Sequence, residues 1–395
     1  MTEMAEPVYR DVEQGDITLY EDLVDYFNFK PVEQQLPVKP KSITFVTTGV
    51  IRFDGGQTTM LHLGTALQKA GYDVYYLSYR PQSEDSMRRN AQGNYADVQG
   101  EFLDMTHLGE HQSDIWIATL WESAYVIKDF PGYKMYFVQD YEPYFYPFGD
   151  QSILARKTYE MGLHMVSLGE WNKQKIQELA QPVGQLDAID FPGDTSGYAF
   201  KTRDFNQYET QDKLRFAIYT KTPSPRRAPI VAQLFARELQ TALREHGIDS
   251  DFYFFGSDQS DPVIVGENLG KLDKKALNEL YQKVDFGLVP SMTNLSLIPY
   301  EMMATGLPVI DFVEGSGPAF FAPDSVIETE IDATKLAKVL ARLVEKPAEL
   351  AQLTQRAKSH LQDVSWEKTI SQFLTILDQL VVTDADQTTT VQEVK

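Results

Sequence analysis

Residues 289–310, VPSMTNLSLIPYEMMATGLPVI, constrain this chain more than any other stretch, because they read as strand end, loop, very short helix and second strand. The apolar run 284–289 alternates little, as a strand buried on both faces of a parallel sheet does. Pro299 suits a first helical turn, Gly306 suits the left-handed position just past a helix end, and Pro308 opens the next apolar run. Glu301 therefore falls in the first turn of a helix at the carboxyl end of a sheet, where open α/β sheets bind ligands. Free amide N–H groups there favour an anion, and a carboxylate beside them can accept hydrogen bonds from sugar hydroxyls. The plainer reading of Glu301 is a solvated side chain supporting the helix dipole.

The same grammar recurs along the chain. From residue 42, SITFVTTGVIRFDGGQTTMLHLGTALQKAGYDVYYLSYR reads as strand, glycine loop, helix, a stop at Gly71 and a second strand, which is a βαβ unit. DIWIATLW, YKMYFVQD and HMVSLGEW add three buried strands, the last followed by a helix from Trp171 or Asn172. A loop rich in Pro, Gly, Asp and Tyr over 187–212 precedes a second series. That series comprises LRFAIYT, a helix over 230–245, DFYFFG, the loop ENLGKLD, a helix over 274–283, DFGLVPS and the glutamate helix. Two such series predict an α/β chain of two Rossmann-like domains facing a central cleft, over 42–205 and 206–365. Residues 1–41 read as an extension packed on the first domain, with a helix over 19–29. Residues 366–382 read as a late helix, and the polar 383–395 as a disordered tail.

Composition narrows the class. At 395 residues, two domains are the natural prior, and 43% hydrophobic residues support globular cores. The absence of cysteine removes disulfides and thiolate chemistry and favours the cytoplasm. A formal charge of −21 opposes nucleic acid and most of an anionic membrane surface. No apolar run has the length of a membrane span, so any lipid-linked partner implies peripheral attachment at the inner face.

Three further segments carry candidate chemistry. In YTKTPSPRRAP, Lys221, Arg226 and Arg227 cluster at the end of a strand, and cations so close in an acidic chain point to an anion such as a nucleoside diphosphate. A solvated basic loop is the simpler alternative. YKMYFVQDYEPYFYPFGD surrounds Asp140 and Glu142 with rings that can stack on sugars, while packing explains most of them equally well. In GVIRFDGGQTT, Gly55 and Gly56 open a helix and let backbone approach a phosphate or sugar. Thr119, Trp121 and Glu122 of TLWES read as cleft lining. Asp249 and Asp251 spell D-x-D but precede a strand, at the wrong end for a crevice, so no metal site is expected. His62 and His164 sit in apolar patterns and read as core histidines.

The words EMMATGLPVI, YTKTPSPRR and QDYEP resemble the GT-B glycosyltransferases of family 4, and within it bacterial rhamnosyltransferases of the rhamnan type. The resemblance spans nearly everything from residue 42. It implies that Glu301 binds the nucleotide ribose and that Lys221 and Arg226 act on the leaving diphosphate, with Asp140 as a further catalytic residue. Thr293, Asn294, Leu295, Ser296 and Arg227 would line the donor site, and Gly55, Gly56 and Glu142 the acceptor or phosphate side. The family usually has a second glutamate where this chain has Thr293. It further implies a retaining, metal-independent transfer, in which a dTDP-rhamnose donor is substrate and no cofactor is needed. The acceptor would be a growing cell-surface glycan, lipid-linked or free, and the last helix would cross back to the first domain. A catalytically silent GT-B subunit and a nucleotide-sugar epimerase are the rival readings.

Overall fold

The structure, a computed structural model, describes residues 30–380 apart from 53, 194, 196 and 212. The expected helix over 19–29 and the expected tail lie outside the described residues.

The first half alternates strands and helices: β1 (Ser42–Thr47), α1 (Gly55–Lys69), β2 (Asp73–Ser78), α2 (Glu84–Asn94), β3 (Glu101–Leu103), β4 (Ile115–Ala118), α3 (Trp121–Ile127), β5 (Tyr133–Val138), α4 (Asp150–Lys157), β6 (His164–Leu168), α5 (Glu170–Leu179) and β7 (Leu186–Ile189). All seven strands pair in parallel in the order β3-β2-β1-β4-β5-β6-β7. The second half repeats the scheme with β8 (Lys213–Tyr219), α6 (Pro229–Glu245), β9 (Asp249–Phe255), β10 (Glu267–Asn268), α7 (Lys274–Lys283), β11 (Phe286–Leu288), α8 (Ile298–Ala304), β12 (Val309–Phe312), β13 (Ile327–Thr329), α9 (Ala333–Val344), α10 (Pro347–His360) and α11 (Trp366–Leu380). Its parallel order is β10-β9-β8-β11-β12-β13. Each order turns back on itself once, between β1 and β4 and between β8 and β11, and such switch points open the crevice at the strands' carboxyl ends.

The short α8 forms as its residues dictate. Pro299 sits in its first turn, and Gly306 takes φ +76° just past its end, a conformation other residues rarely adopt. Gly306 N–H then bonds back to Met303, and Pro308 carries the chain into β12. The last helix, α11, returns to the first domain: Phe373 meets Phe137 edge-on at 6.2 Å, and Thr369 Oγ1 donates to Asp190 O at 3.0 Å. Trp366 and Tyr95 sandwich the His62 ring at 4.1 and 3.9 Å. Part of the extension also lies on the first domain, with Val32 N–H donating to Met161 O at 2.7 Å.

Three elements depart from the sequence reading. β7 starts one residue ahead of the stretch read as an interdomain loop and runs into it, and Asp187 within it accepts from His164 Nε2 at 2.8 Å. α5 begins at Glu170, slightly ahead of Trp171 or Asn172. β10 forms in the stretch read as a loop, a two-residue edge pairing too short for any periodicity. Asp249 and Asp251 stand at the start of β9, where Lys213 approaches both, at the end of the sheet away from the crevice. No helix among the described residues is long and apolar enough to cross a membrane.

Candidate functional site

The carboxyl ends of the two sheets meet at Asp140, two residues beyond β5. Its carboxylate is 2% exposed. Oδ1 accepts from its neighbour Tyr141 N–H at 2.8 Å and from Asn294 N–H at 3.0 Å. Oδ2 accepts from Thr293 Oγ1 at 2.7 Å and from Arg226 Nη1 at 2.5 Å. Three of those donors come from the second domain, from the loops after β8 and β11. Asn294 also gives its side-chain N–H groups to Gln139 O at 2.6 Å and Leu168 O at 2.7 Å. Thr293 and Asn294, read from sequence as donor-site residues, thus give their hydrogen-bond donors to the first domain, while Asn294 Oδ1 is buried without a partner among the described residues. Leu295 is buried in the hydrophobic core, while the Ser296 hydroxyl is buried without a hydrogen-bond partner among the described residues.

The basic residues converge beside this contact. Arg226 lies over the Phe145 ring at 4.6 Å, which fixes the face of its guanidinium while Asp140 holds one edge. Arg227 is 5% exposed, and its Nη1 has no hydrogen-bond partner among the described residues. Burial, with Arg226 alongside, pushes its pKa down to about 10, which still leaves it charged at neutral pH. Burial lowers Lys221 as well, and Asp54 across the domain boundary opposes that shift. Burial raises the pKa of Tyr219 at the end of β8, with Arg227 and Arg226 opposing that shift and Asp54 and Glu301 adding to it. Glu301 enters that set from α8 and also bears on Tyr281.

On the facing side, Asp54 caps α1 by accepting from Gln57 N–H at 2.9 Å. A side chain at Gly55 would meet open space, whereas one at Gly56 would reach Gln139 Oε1 at 3.4 Å. The first two residues of α1 therefore bring bare backbone to the cleft beside Asp140's own loop. Asp54, Gln139 and Asp311 were missed in the sequence reading. Two of them carried a signal: Asp before GGQ is a helix cap, and Asp within PVIDF is an acid inside an apolar strand.

Glu142 turns inward. It is 2% exposed and its Oε2 accepts from Trp121 N–H at 2.6 Å, at the start of α3. Trp121 and Glu122 are also interior, with Glu122 accepting from Tyr79 Oη at 2.7 Å and Arg80 Nη2 at 2.9 Å. Thr119 Oγ1 donates to Val46 O at 2.8 Å. Burial raises Glu142 to about 8 and Asp311 to about 7. A carboxyl whose folded pKa is raised binds its proton more tightly folded than unfolded. Its contribution to stability is fully present below about pH 4 and is lost as pH rises through the folded value. The melting temperature should therefore fall between pH 5 and pH 9, and Glu142→Gln should flatten that fall. Scanning calorimetry across the range checks this; a parallel slope in the variant would assign the loss to other groups.

With this geometry in place, comparison with solved structures is decisive for the architecture. Sucrose-phosphate synthase from Thermosynechococcus elongatus superposes at a TM-score of 0.64 over 86% of this chain and 99% of its own, at 14% identity. HepE from Anabaena, solved with UDP-glucose, gives 0.66 over 86% and 99%, at 11% identity. The chain has the GT-B fold. TarM gives 0.66 over 90% of this chain and 100% of its own, at 9% identity. No family model matches. By sequence, the chain is 31% identical over 205 residues to the O-antigen biosynthesis protein RfbC of Myxococcus xanthus. That match covers 50% of this chain and 15% of RfbC, so this GT-B chain aligns with a small part of a much longer protein.

Proposed function

We propose that this chain is a glycosyltransferase that moves L-rhamnose from a dTDP-linked donor onto a growing cell-surface glycan, retaining the anomeric configuration and using no metal. The observation that carries the reading is the buried Arg227, whose Nη1 has no partner among the described residues and which stands with Lys221 and Arg226 at the end of β8. Cations held in a low-dielectric crevice stabilise charge that develops on a departing diphosphate without reorganising. Glu301, on α8 in the loop region after β11, would take the ribose hydroxyls. The likeness to HepE, solved with UDP-glucose, supports a nucleotide-sugar donor, and that to RfbC supports a polysaccharide product. The protein works in the cytoplasm or peripherally at the inner membrane face.

A thermal-shift panel of dTDP, UDP, GDP and their sugars tests this. Saturation at about a hundredfold above Kd stabilises a native state by roughly 2.7 kcal/mol. The dTDP-rhamnose arm should give the largest shift, and no shift with any nucleotide would overturn the reading. Transfer should survive EDTA; loss restored by magnesium would reveal a metal step.

The acceptor side is read from Tyr144 and Phe148, which are 46% and 90% exposed on the loop that carries Asp140. Phe148→Ala should raise the acceptor KM by about tenfold, from a stacking contact of roughly 1.5 kcal/mol, with the donor KM unchanged. Steady-state kinetics at saturating donor checks it. A catalytically silent subunit that binds glycan or stabilises a partner glycosyltransferase is the second reading, favoured by Thr293 in place of the family's glutamate; it predicts glycan or partner binding without sugar transfer.

A further inference from the structure

We infer that Asp140 is an interdomain latch: its carboxylate holds the two domains together across the cleft before any ligand arrives, and it positions Arg226 instead of touching substrate. A carboxylate offers about four acceptor positions. Here Tyr141, Asn294, Thr293 and Arg226 fill four, and the group is 2% exposed, so nothing of it is left for a sugar. The partners from the second domain arrive from two separate loops, after β8 and after β11, so one side chain ties both to the end of β5. Asn294 doubles the tie through the carbonyls of Gln139 and Leu168.

The consequence for Arg226 follows from its contacts. Nη1 is held by Asp140 and its face lies on Phe145, both from the first domain. Its remaining N–H groups make no hydrogen bond among the described residues and stay available to an anion, with its side chain about a third exposed. A guanidinium pinned on one edge and one face loses little freedom when an anion engages the other edge. That consequence rests on the diphosphate reading above, whereas the latch itself does not.

The chemistry also selects the variant. Asparagine has the shape of Asp140 but must turn an N–H₂ group toward donors it cannot accept from, either Thr293 and Arg226 or Tyr141 and Asn294. Small-angle X-ray scattering of the full chain without ligand is the experiment, on wild type, Asp140→Asn and Asn294→Ala, with near-UV circular dichroism confirming folding. Both variants should show a larger radius of gyration than wild type. If wild-type scattering persists in both, or if stability falls without expansion, the latch is wrong. Kinetics adds a second readout: Asp140→Asn should lower kcat by about tenfold with little change in donor KM, the pattern of lost positioning. An equal loss of stability and of donor affinity, with kcat intact, would overturn the positioning role. Should wild type bind no nucleotide, the function fails while scattering still decides the latch.

Discussion

Replacing Arg227 with methionine should leave the ligand-free protein as stable as wild type or more so, and should abolish most of its affinity for the donor nucleotide. The two signs come from one cause. Arg227 is 5% exposed with Nη1 unpartnered among the described residues, and Arg226 beside it adds repulsion. Asp140 and Asp311 both lie near enough to help, but Asp140 is already bonded to Arg226, and burial raises the Asp311 carboxyl to about 7, so it is only partly ionised near neutrality. A buried charge without a matched partner costs several kcal/mol, and an apolar side chain of similar length removes that cost. With a diphosphate bound, the same guanidinium gains a desolvated anion. Truncating one partner of such a pair costs on the order of 2–5 kcal/mol, a roughly thirtyfold to several-thousandfold loss of affinity. Lys221→Met should show the same pattern more weakly, since its side chain is only half-buried. Differential scanning fluorimetry and titration calorimetry on the same preparations separate the two effects. A sharp fall in ligand-free stability with affinity intact would make Arg227 a structural ion and remove the basis for the site.

The sequence carried much of this architecture because parallel strands buried on both faces leave continuous apolar words. Ile115–Ala118 is such a word, Val309–Phe312 and Tyr133–Val138 each carry a single charged residue within one, and proline and glycine punctuate them where backbone geometry requires. α8 was legible to the residue at Pro299 and Gly306. What stayed hidden are relations between distant segments. Asp140 and its partners Arg226, Thr293 and Asn294 lie 86, 153 and 154 positions apart, and no local pattern reports a bond across that span. For the same reason Thr293 reads in sequence only as a missing glutamate, although in the fold it is a donor to a carboxylate supplied by the other domain. Glu142 illustrates the opposite difficulty. Its aromatic neighbours suggested a sugar-facing wall, but whether a loop residue points out or caps a neighbouring helix depends on where α3 starts. Very short strands such as β10 carry too few residues for a period to register.

Thr293→Glu should be among the most damaging single changes in this chain, even though the family that residues 289–310 resemble usually has glutamate there. The Thr293 hydroxyl is 2.7 Å from Asp140 Oδ2 in a site where both residues are buried. A glutamate would replace a donor with a second carboxylate, and two carboxylates at contact distance cannot both ionise. Arg226 already serves Asp140 through Nη1 and does not neutralise a second charge. The cost should be on the order of 3–5 kcal/mol at pH 8, the range for an uncompensated buried charge. The shared proton raises the folded pKa of the pair above its unfolded value, so the penalty should shrink as pH falls toward 5 and grow as pH rises through the folded value. Adding Asp140→Asn should relieve most of it, because the carboxylate introduced at position 293 then becomes the partner of Arg226 in place of the one removed. Urea unfolding of wild type, both single variants and the double variant, at pH 5 and pH 8, closes the cycle. If the two changes add within about 0.5 kcal/mol, as distant independent sites do, residues 140 and 293 are not coupled and the glutamate's absence has another cause.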